Sequence, residues 1–563
     1  MQHNQEPLNG QLAGGGADST GSPRSGTGNY ANWLRISLAL VVVAAAYFYR
    51  LDRPLLWGDE ADTGIESRNT LRYGYPVAYD GRNVSVLENG AQLNRELVCK
   101  KIPWSQYYVG AMSLALFGND TAGLRVLFAV IGLLAFLPVY AVLKTRVRSP
   151  EFIAALVMMA PQTVLFQRNA RYYSILILLY AALIWQLSAK MKSPKTRLLV
   201  ASLVFVLLFH THPVAAACCG LSLILFCRCF RREALSAYLL ASGIGFISWL
   251  LWYKMLGPPL GETARPPSLL TSDFPAGLKA FFTGLWATLV DLDAVNCVPM
   301  LLWFAALALL FWRGRKAVLG ILQDPIPVFV LVNLLVQAVA SAAVFGSESV
   351  FNYSFLRYMP HLLVFGMVSC FIVLDAAIRS RGLYLLVCAF AVGFNLLTFS
   401  FWAKPFSRKV PVSWFLPVYS EIVCPPQDTW DAVFSGMRNE SDDASGRDTV
   451  IVALPPWTRD VVIFYLGDRY LVCPTLDESA KACVPLIRKV IGEESSRRLS
   501  AKPEWFIDTY GFLRAVPNGY ATAAVLPSYR ARPDDGTRPE LNRHTFSQPV
   551  VVTNVMLLRL QSK

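Results

Sequence analysis

Apolar residues occur along this chain in long blocks, and the polar residues are pushed to the block ends. Runs such as "ISLALVVVAAAYFY" (36–49) hold no acid or base at all. That pattern predicts helices that are apolar all round, and not the one-faced stripe of a surface helix. Blocks of this kind fall near 34–50, 124–143, 151–166, 171–189, 198–210, 213–227, 234–255, 296–312, 326–345, 359–377 and 383–402. Roughly 20 apolar residues cross a bilayer, so the chain reads as about eleven transmembrane helices. The stretch 198–227 has basic residues at both ends and is read as a hairpin broken at "HTHP" (210–213), where Pro213 interrupts the helix. Within 51–123, the segment "WSQYYVGAMSLALF" (104–117) predicts a helix lying in the membrane interface.

The two ends of the chain break the pattern. Residues 1–32 form a polar, Gly/Ser-rich tail without apolar period, expected to be disordered. The apolar run after so long a tail is expected to be an uncleaved anchor. Residues 403–563 mix charge, proline and short apolar runs: "TVIVAL" (449–454), "RYLVC" (469–473), "EWFID" (504–508) and "VVVTNVMLLRL" (550–560). With a helical candidate at 457–466, this stretch predicts a small soluble α/β domain. It has no Gly-rich phosphate loop.

Charge gives the blocks a direction. Basic clusters stand at 144–148, 190–197, 228–232, 313–316 and 379–381. If the spans alternate, all of these fall on one side, which marks it as cytoplasmic. The N-terminus is then cytoplasmic. The first outer loop, 51–123, lies on the far side of a plasma (inner) membrane, and so does the domain from 403 onward. Composition agrees: 54% of the residues are hydrophobic and 16% charged, with mean hydropathy +0.40, against roughly 25% charged in soluble domains. The net charge of +14 is spent in the loop clusters, so it does not point to nucleic acid. Eleven scattered cysteines do not make a disulfide scaffold. Cys218, Cys219, Cys227 and Cys229 read as packing residues, and Cys473 and Cys483 as candidates for pairing in an oxidising compartment.

The far side collects the chemistry. "LLWGDEADTG" (55–64) places Asp59 and Glu60 just past the first span, with Glu66 and Glu88 in the same loop. A carboxylate against an apolar surface is either a solvated helix end or a general base. "QRNARYY" (167–173) puts Arg168 and Arg171 where few arginines are expected. They snorkel to headgroups or clamp a phosphate. "LRYMP" (356–360) repeats the pattern with Arg357 and Tyr358. His210 and His212 face different ways on a helix, so one His with a loop carboxylate is the only divalent-metal reading they allow. "DLD" (291–293) matches the D-x-D of soluble nucleotide-sugar transferases, a short and unspecific pattern. The sequons at Asn83, Asn119, Asn352 and Asn439 carry no information by themselves.

Taken in order and with their sidedness, "LWGDEADTG", "ALFGNDTAGLRVLFAVIGLLAFLPVYAVLKTR" (115–146), "QRNARYYSILILL" (167–179), "HTHP" and "RYMP" resemble the GT-C superfamily of membrane glycosyltransferases. The nearest branch is the bacterial protein-mannosyltransferase and aminoarabinose-transferase-like group, and the resemblance covers roughly 33–402. It implies a polyprenyl-phosphate sugar donor used on the outer face. Inverting transfer then goes to a hydroxyl of a glycan, lipid or protein acceptor. It implies Asp59 as catalytic base with Glu60 its neighbour in the motif. Arg171, Tyr172, Arg357 and Tyr358 are implied to face the lipid phosphate, and His212 matches a recurring histidine. Many relatives carry a second acid near "QRNARYY". Here that segment has Asn169, and no Asp or Glu occurs between 152 and 232. A metal bridging two loops therefore lacks one of its usual ligands. The competing class is a transporter or flippase of a lipid-linked or small solute. Transporters place ionisable residues near the bilayer midplane, whereas these collect at the outer boundary.

Overall fold

The structure, a computed structural model, describes residues 27–85, 93–100, 102–189, 193–258, 274–294, 300–345, 357–393, 415–425, 429–441, 449–454, 458–472, 492–493, 503–508, 516–528 and 553–561. Glu88, Asn352, Cys473 and Cys483 lie outside the described residues. The chain opens with α1 (Thr27–Phe48), α2 (Gly58–Tyr73), α3 (Ser105–Phe117) and α4 (Thr121–Leu134), which runs through Ala135 into α5 (Phe136–Leu143). The α4–α5 joint has a covalent cause: Pro138 lacks the N–H that would bond Leu134. There follow α6 (Pro150–Met158), α7 (Pro161–Arg168), α8 (Tyr173–Ser188), α9 (Pro194–Phe209), α10 (Pro213–Phe230) and α11 (Arg232–Met255). The bundle is completed by α12 (Phe274–Ala294), α13 (Met300–Arg313), α14 (Arg315–Gln323), α15 (Pro325–Phe345), α16 (Pro360–Ala377) and α17 (Arg381–Gly393). Six of these helices begin on proline, whose fixed φ and missing N–H suit a first helical position.

The break at "HTHP" is present: α9 ends at Phe209 and α10 starts at Pro213, with the His212 side chain accepting from the Ala215 N–H. Three details depart from the expected spans. The block 151–166 is two short helices, because Pro161 starts a new one after Met158. Helix α12, which holds the "DLD" triplet, fills a stretch not read as a span. Among the described residues, six helices are long and apolar enough to cross a membrane, and α7 with α8, bent by 115°, makes a seventh. Helices α9, α13 and α17 are apolar but shorter, at 16, 14 and 13 residues. The chain is a multi-pass membrane protein.

Helix α16 gives the bundle its polarity. Its first residues follow Arg357 and Tyr358, and its last turn meets the basic clusters. Arg148 binds Asp375 at 2.9 Å, Arg313 donates to the Ala376 carbonyl, and Arg146 pairs with Asp324 at 2.9 Å. Three basic clusters thus gather at the end of α16 opposite the "RYMP" segment.

Beyond the bundle come α18 (Phe415–Val423), α19 (Thr429–Ser441) and α20 (Arg459–Leu466), with β1 (Val450–Leu454), β2 (Leu471–Val472), β3 (Trp505–Asp508), β4 (Tyr520–Ser528) and β5 (Thr553–Leu560). The strands form one sheet of order β2-β1-β3-β5-β4. Strands β1, β2 and β3 are parallel, and β5 runs antiparallel to both β3 and β4. This sheet does not keep a core to itself. Trp430, Ile451, Val462, Phe464 and Ile507 share a hydrophobic cluster with Leu56, Ile65, Leu124 and Phe128.

Two contacts fasten the join. Phe464 covers Gly64, where a Cβ would stand 2.4 Å from its ring, and Arg68 lies over the same ring at 3.8 Å. Asn83, fully buried, donates to the Gly467 and Tyr470 carbonyls at 3.0 and 3.1 Å and accepts from the Val472 N–H at 2.7 Å. A sequon asparagine so engaged has no room for a glycan. Replacing Asn83 with Ala strands a buried backbone N–H and two carbonyls, which costs about 3 kcal/mol. A fall in the thermal midpoint of the detergent-solubilised protein measures it; an unchanged midpoint contradicts the assignment.

Candidate active site

Helix α2 carries the acidic motif. Gly58 opens it, Asp59 and Glu60 sit in its first turn where the helix dipole favours anions, and Gly74 closes it at φ 84°, a left-handed cap that glycine adopts freely. The helix is polar in sequence yet mostly buried, so each side chain needs a partner. Many come from the corner between α7 and α8. Trp57 Nε1 donates to Asn169 Oδ1 at 2.7 Å, the Ala170 N–H donates to Glu60 Oε1 at 2.8 Å, and Arg171 Nη1 donates to the Asp59 carbonyl at 2.9 Å. Three consecutive residues of one segment thus lock onto the other.

Asp59 stands at the open edge of this lock. Its carboxylate lies 3.5 Å from Arg171 Nη2 and 3.5 Å from Arg357 Nη1, with 31% of its side chain exposed. Around the pair, Tyr172 Oη donates to the Arg357 carbonyl at 3.2 Å, and Arg357 Nη2 donates to Tyr358 Oη at 3.0 Å. The His212 ring packs 4.9 Å from Tyr172 and 6.0 Å from Tyr358. Burial holds the His212 imidazole neutral, with its pKa pulled down to about 4. Burial opposes the Arg171 charge, but Asp59 together with Tyr173, Asp62 and Tyr107 outweighs it and the net shift is upward. The structure therefore brings together Asp59, Arg171, Tyr172, His212, Arg357 and Tyr358: one acid, two guanidiniums and an aromatic wall.

Other sequence candidates go elsewhere. Glu60 is fully buried and forms a two-point pair with Arg125, at 2.9 and 2.7 Å. Arg168 Nη1 and Nη2 donate to the Ala46, Tyr47, Tyr49 and Arg50 carbonyls at 2.9–3.1 Å, so this arginine caps α1. His210 bonds Ser248 at 3.0 Å and packs on Trp252. Glu66 is buried one layer behind Asp59. Among the described residues, no group of three or more His, Cys, Asp or Glu side chains is placed to hold a metal.

Sequence reasoning missed three groups. Asp62 sits on α2 and is 2% exposed, with Arg171 Nη1 3.7 Å away. Asp460, on α20, joins it through Ser85. Arg125, on α4, neutralises Glu60. Reading 58–73 as a helix exposes the first: Asp59, Asp62 and Glu66 fall at i, i+3 and i+7, on one face. No local signal could place Asp460 beside residues some 400 positions earlier. A cavity of about 410 Å³ lies next to α3, walled by Tyr75, Asn94, Trp104 and Leu256.

Comparison with protein-family models gives no match, and comparison with curated proteins gives none. Solved structures do match. ArnT from Cupriavidus metallidurans, bound to undecaprenyl phosphate, is similar over 96% of this chain and 99% of its own, with TM-score 0.54 and 14% identity. The oligosaccharyltransferase AglB from Archaeoglobus fulgidus, with an inhibitory peptide and a dolichol-phosphate, is similar over 86% and 70%, with TM-score 0.43 and 11% identity. At these identities the likeness is one of fold: the chain has the fold of ArnT.

The pairing of Glu60 separates stability from chemistry. Glu60→Ala leaves the buried Arg125 without its counter-charge, with only the Leu51 and Pro54 carbonyls to receive it, a cost of about 3 kcal/mol. The double substitution Glu60→Gln with Arg125→Met removes both charges and regains most of the lost thermal midpoint. A double variant no more stable than Glu60→Ala contradicts this.

Proposed function

We propose that this protein transfers a sugar from a polyprenyl-phosphate donor to an acceptor hydroxyl at the outer face of the membrane, with inversion, using Asp59 as the base. The observation that carries the reading is the Asp59 carboxylate held between Arg171 and Arg357, 3.5 Å from each. The reaction needs both kinds of group. A base takes the acceptor proton as its oxygen attacks the anomeric carbon, and cations receive the charge that collects on the departing polyprenyl phosphate. One proton passes to Asp59, the new C–O bond forms opposite the old one, and the old bond's electrons leave with the phosphate.

The geometry supports an exchange of partners. At 3.5 Å the contacts to Asp59 are long for a hydrogen bond, so a phosphate that approaches more closely competes for them. The donor's monoanionic phosphodiester, docking on Arg171 and Arg357, draws them from Asp59 and frees that carboxylate for the acceptor; the second phosphate charge appears only as the sugar leaves. Tyr172 and Tyr358 hold Arg357 in place, and the neutral His212 ring backs them without adding charge. The site sits at the end of α16 opposite the basic clusters. Positive-inside then puts it, with the 403–563 stretch, on the outer side and the N-terminus in the cytoplasm. ArnT and AglB, both solved with polyprenyl phosphates, agree with the donor class in their bound lipids.

The test is transfer of labelled sugar from a panel of polyprenyl-phosphate donors to membrane extracts, wild type against Asp59→Asn at matched expression. The expected result is transfer by wild type from one donor, reduced on the order of 10²–10⁴-fold by Asp59→Asn. Equal transfer by both removes Asp59 from the chemistry. Arg357→Gln is expected to raise the KM for the same donor about tenfold or more, because a charge-assisted phosphate contact is lost.

A further inference from the structure

Behind Arg171 lies a second layer of acids that the transfer chemistry does not use. Asp62, Glu66 and Asp460 are all buried, at 2%, 2% and 1% exposure. Two come from α2 and the third from α20, at the far end of the chain. Ser85 connects them: its Oγ is 3.0 Å from Asp460 Oδ1 and 3.5 Å from Asp62 Oδ1. A serine has one hydroxyl hydrogen. The shorter contact takes it, so Ser85 donates to Asp460, favouring its ionised form against the burial that raises its proton affinity, and keeps a lone pair facing Asp62. Arg459 Nη2, 3.9 Å from Asp460 Oδ1, favours the same ionised form. On the other side, Asp62 Oδ2 and Glu66 Oε2 are buried and accept no hydrogen bond among the described residues. Burial without a hydrogen-bond donor disfavours charge on such oxygens.

We propose that Asp460 is a positioning residue for the Asp59–Arg171 pair, acting through Ser85 and Asp62. The proposal rests on the reading of Asp59 as the base. Arg171 is the shared element. Its guanidinium lies 3.5 Å from the Asp59 carboxylate and 3.7 Å from that of Asp62, and a single cation cannot serve two anions equally. While Asp62 is neutral, Arg171 belongs to Asp59 and to an incoming phosphate. Once Asp62 ionises, it competes for the guanidinium from the buried side, where water screens least. The charge on Asp460 works against that ionisation.

Each group facing Asp62 has a definite sign. On its own helix, Asp59 raises its proton affinity, and Glu66 is held protonated by burial. From the outer loop, Ser85 turns a lone pair to Asp62, its hydrogen being given to Asp460, and Cys99 is neutral. Tyr107 of α3 is neutral too, bound to Cys99 Sγ at 3.2 Å. Arg171 favours the ionised form; Asp460 opposes it, with Arg459 beside it. Burial is the largest influence and Asp460 the second, and together they hold the Asp62 carboxyl well above the usual carboxylate range. Burial first, then Asp62, does the same for Glu66.

The sign of the expected effect follows. With the Asp460 charge present, Asp62 keeps its proton to higher pH. Without it, Asp62 ionises at lower pH and withdraws Arg171 from Asp59 sooner.

The experiment is the pH profile of kcat/KM for wild type, Asp460→Asn, Asp62→Asn and the double variant. Asp460→Asn is expected to move the alkaline limb down by about one pH unit. Asp62→Asn, always neutral, abolishes that limb, and the double variant follows Asp62→Asn. If Asp460→Asn lowers activity equally at every pH, or if the double variant is as impaired as both losses multiplied, Asp460 only holds the fold and the proposal falls. Infrared difference spectroscopy keeps the proposal separable from the reading of the reaction, since it needs no turnover. Wild type is expected to show a protonated-carboxyl band at neutral pH that Asp62→Asn removes. Asp460→Asn should lower its titration midpoint. An unchanged midpoint overturns the coupling whether or not any donor is turned over.

Discussion

Everything at the site hangs on the lock between residues 57–60 and 169–171. Trp57 to Asn169, Glu60 to Ala170 and Asp59 to Arg171 form a short polar zipper between the start of α2 and the bend of 115° between α7 and α8. Neither piece has reason to adopt its shape alone. A polar helix buried against a membrane bundle needs partners for its carboxylates, and an unwound corner needs partners for its freed backbone groups. Each supplies the other. Arg168 extends the lock by capping α1, so the corner also fixes where the first helix ends.

The lock sorts the charges into two kinds. Glu60 and Arg125 are sealed and mutually satisfied, with side chains 0% and 2% exposed. Such a pair fixes geometry and adds little net stability, because desolvation consumes most of the attraction. Asp59, Arg171 and Arg357 are held close but at looser distances and nearer the surface. Their interactions remain exchangeable. Adjacent acids in one motif thus divide the work: Glu60 anchors the helix start so that Asp59 can stay available.

That division was only half legible in the sequence. The blocks of apolar residues, the break at Pro213 and the order of "WGDEAD", "QRNARYY" and "RYMP" were readable because each is a local signal of solvent or backbone geometry. So was the gathering of Arg171, Tyr172, His212, Arg357 and Tyr358 around Asp59. Arg168 and Glu60 were placed with them because sequence spacing is blind to which way a side chain turns; one residue of rotation separates a guanidinium at the mouth from one wrapped on α1. Helix α2 was read as loop, since its polar composition hides the 3.6-residue period. Segment 151–166 looked like one span because Pro161 breaks the helix without breaking the run of apolar residues.

Asn169 shows how such a departure is absorbed. An acid at this position would face Glu60 and Asp59 across the lock and add to their repulsion. Asparagine instead accepts from Trp57 and donates to the Leu165 carbonyl at 2.8 Å, closing the corner without charge. The acidity that the corner lacks is found behind Arg171, where burial and the neighbouring Asp460 raise the proton affinity of Asp62. Arg171 thus stands between a partly exposed carboxylate, Asp59 at 3.5 Å, and a buried one, Asp62 at 3.7 Å, and it is the burial of the second that leaves the cation to the first.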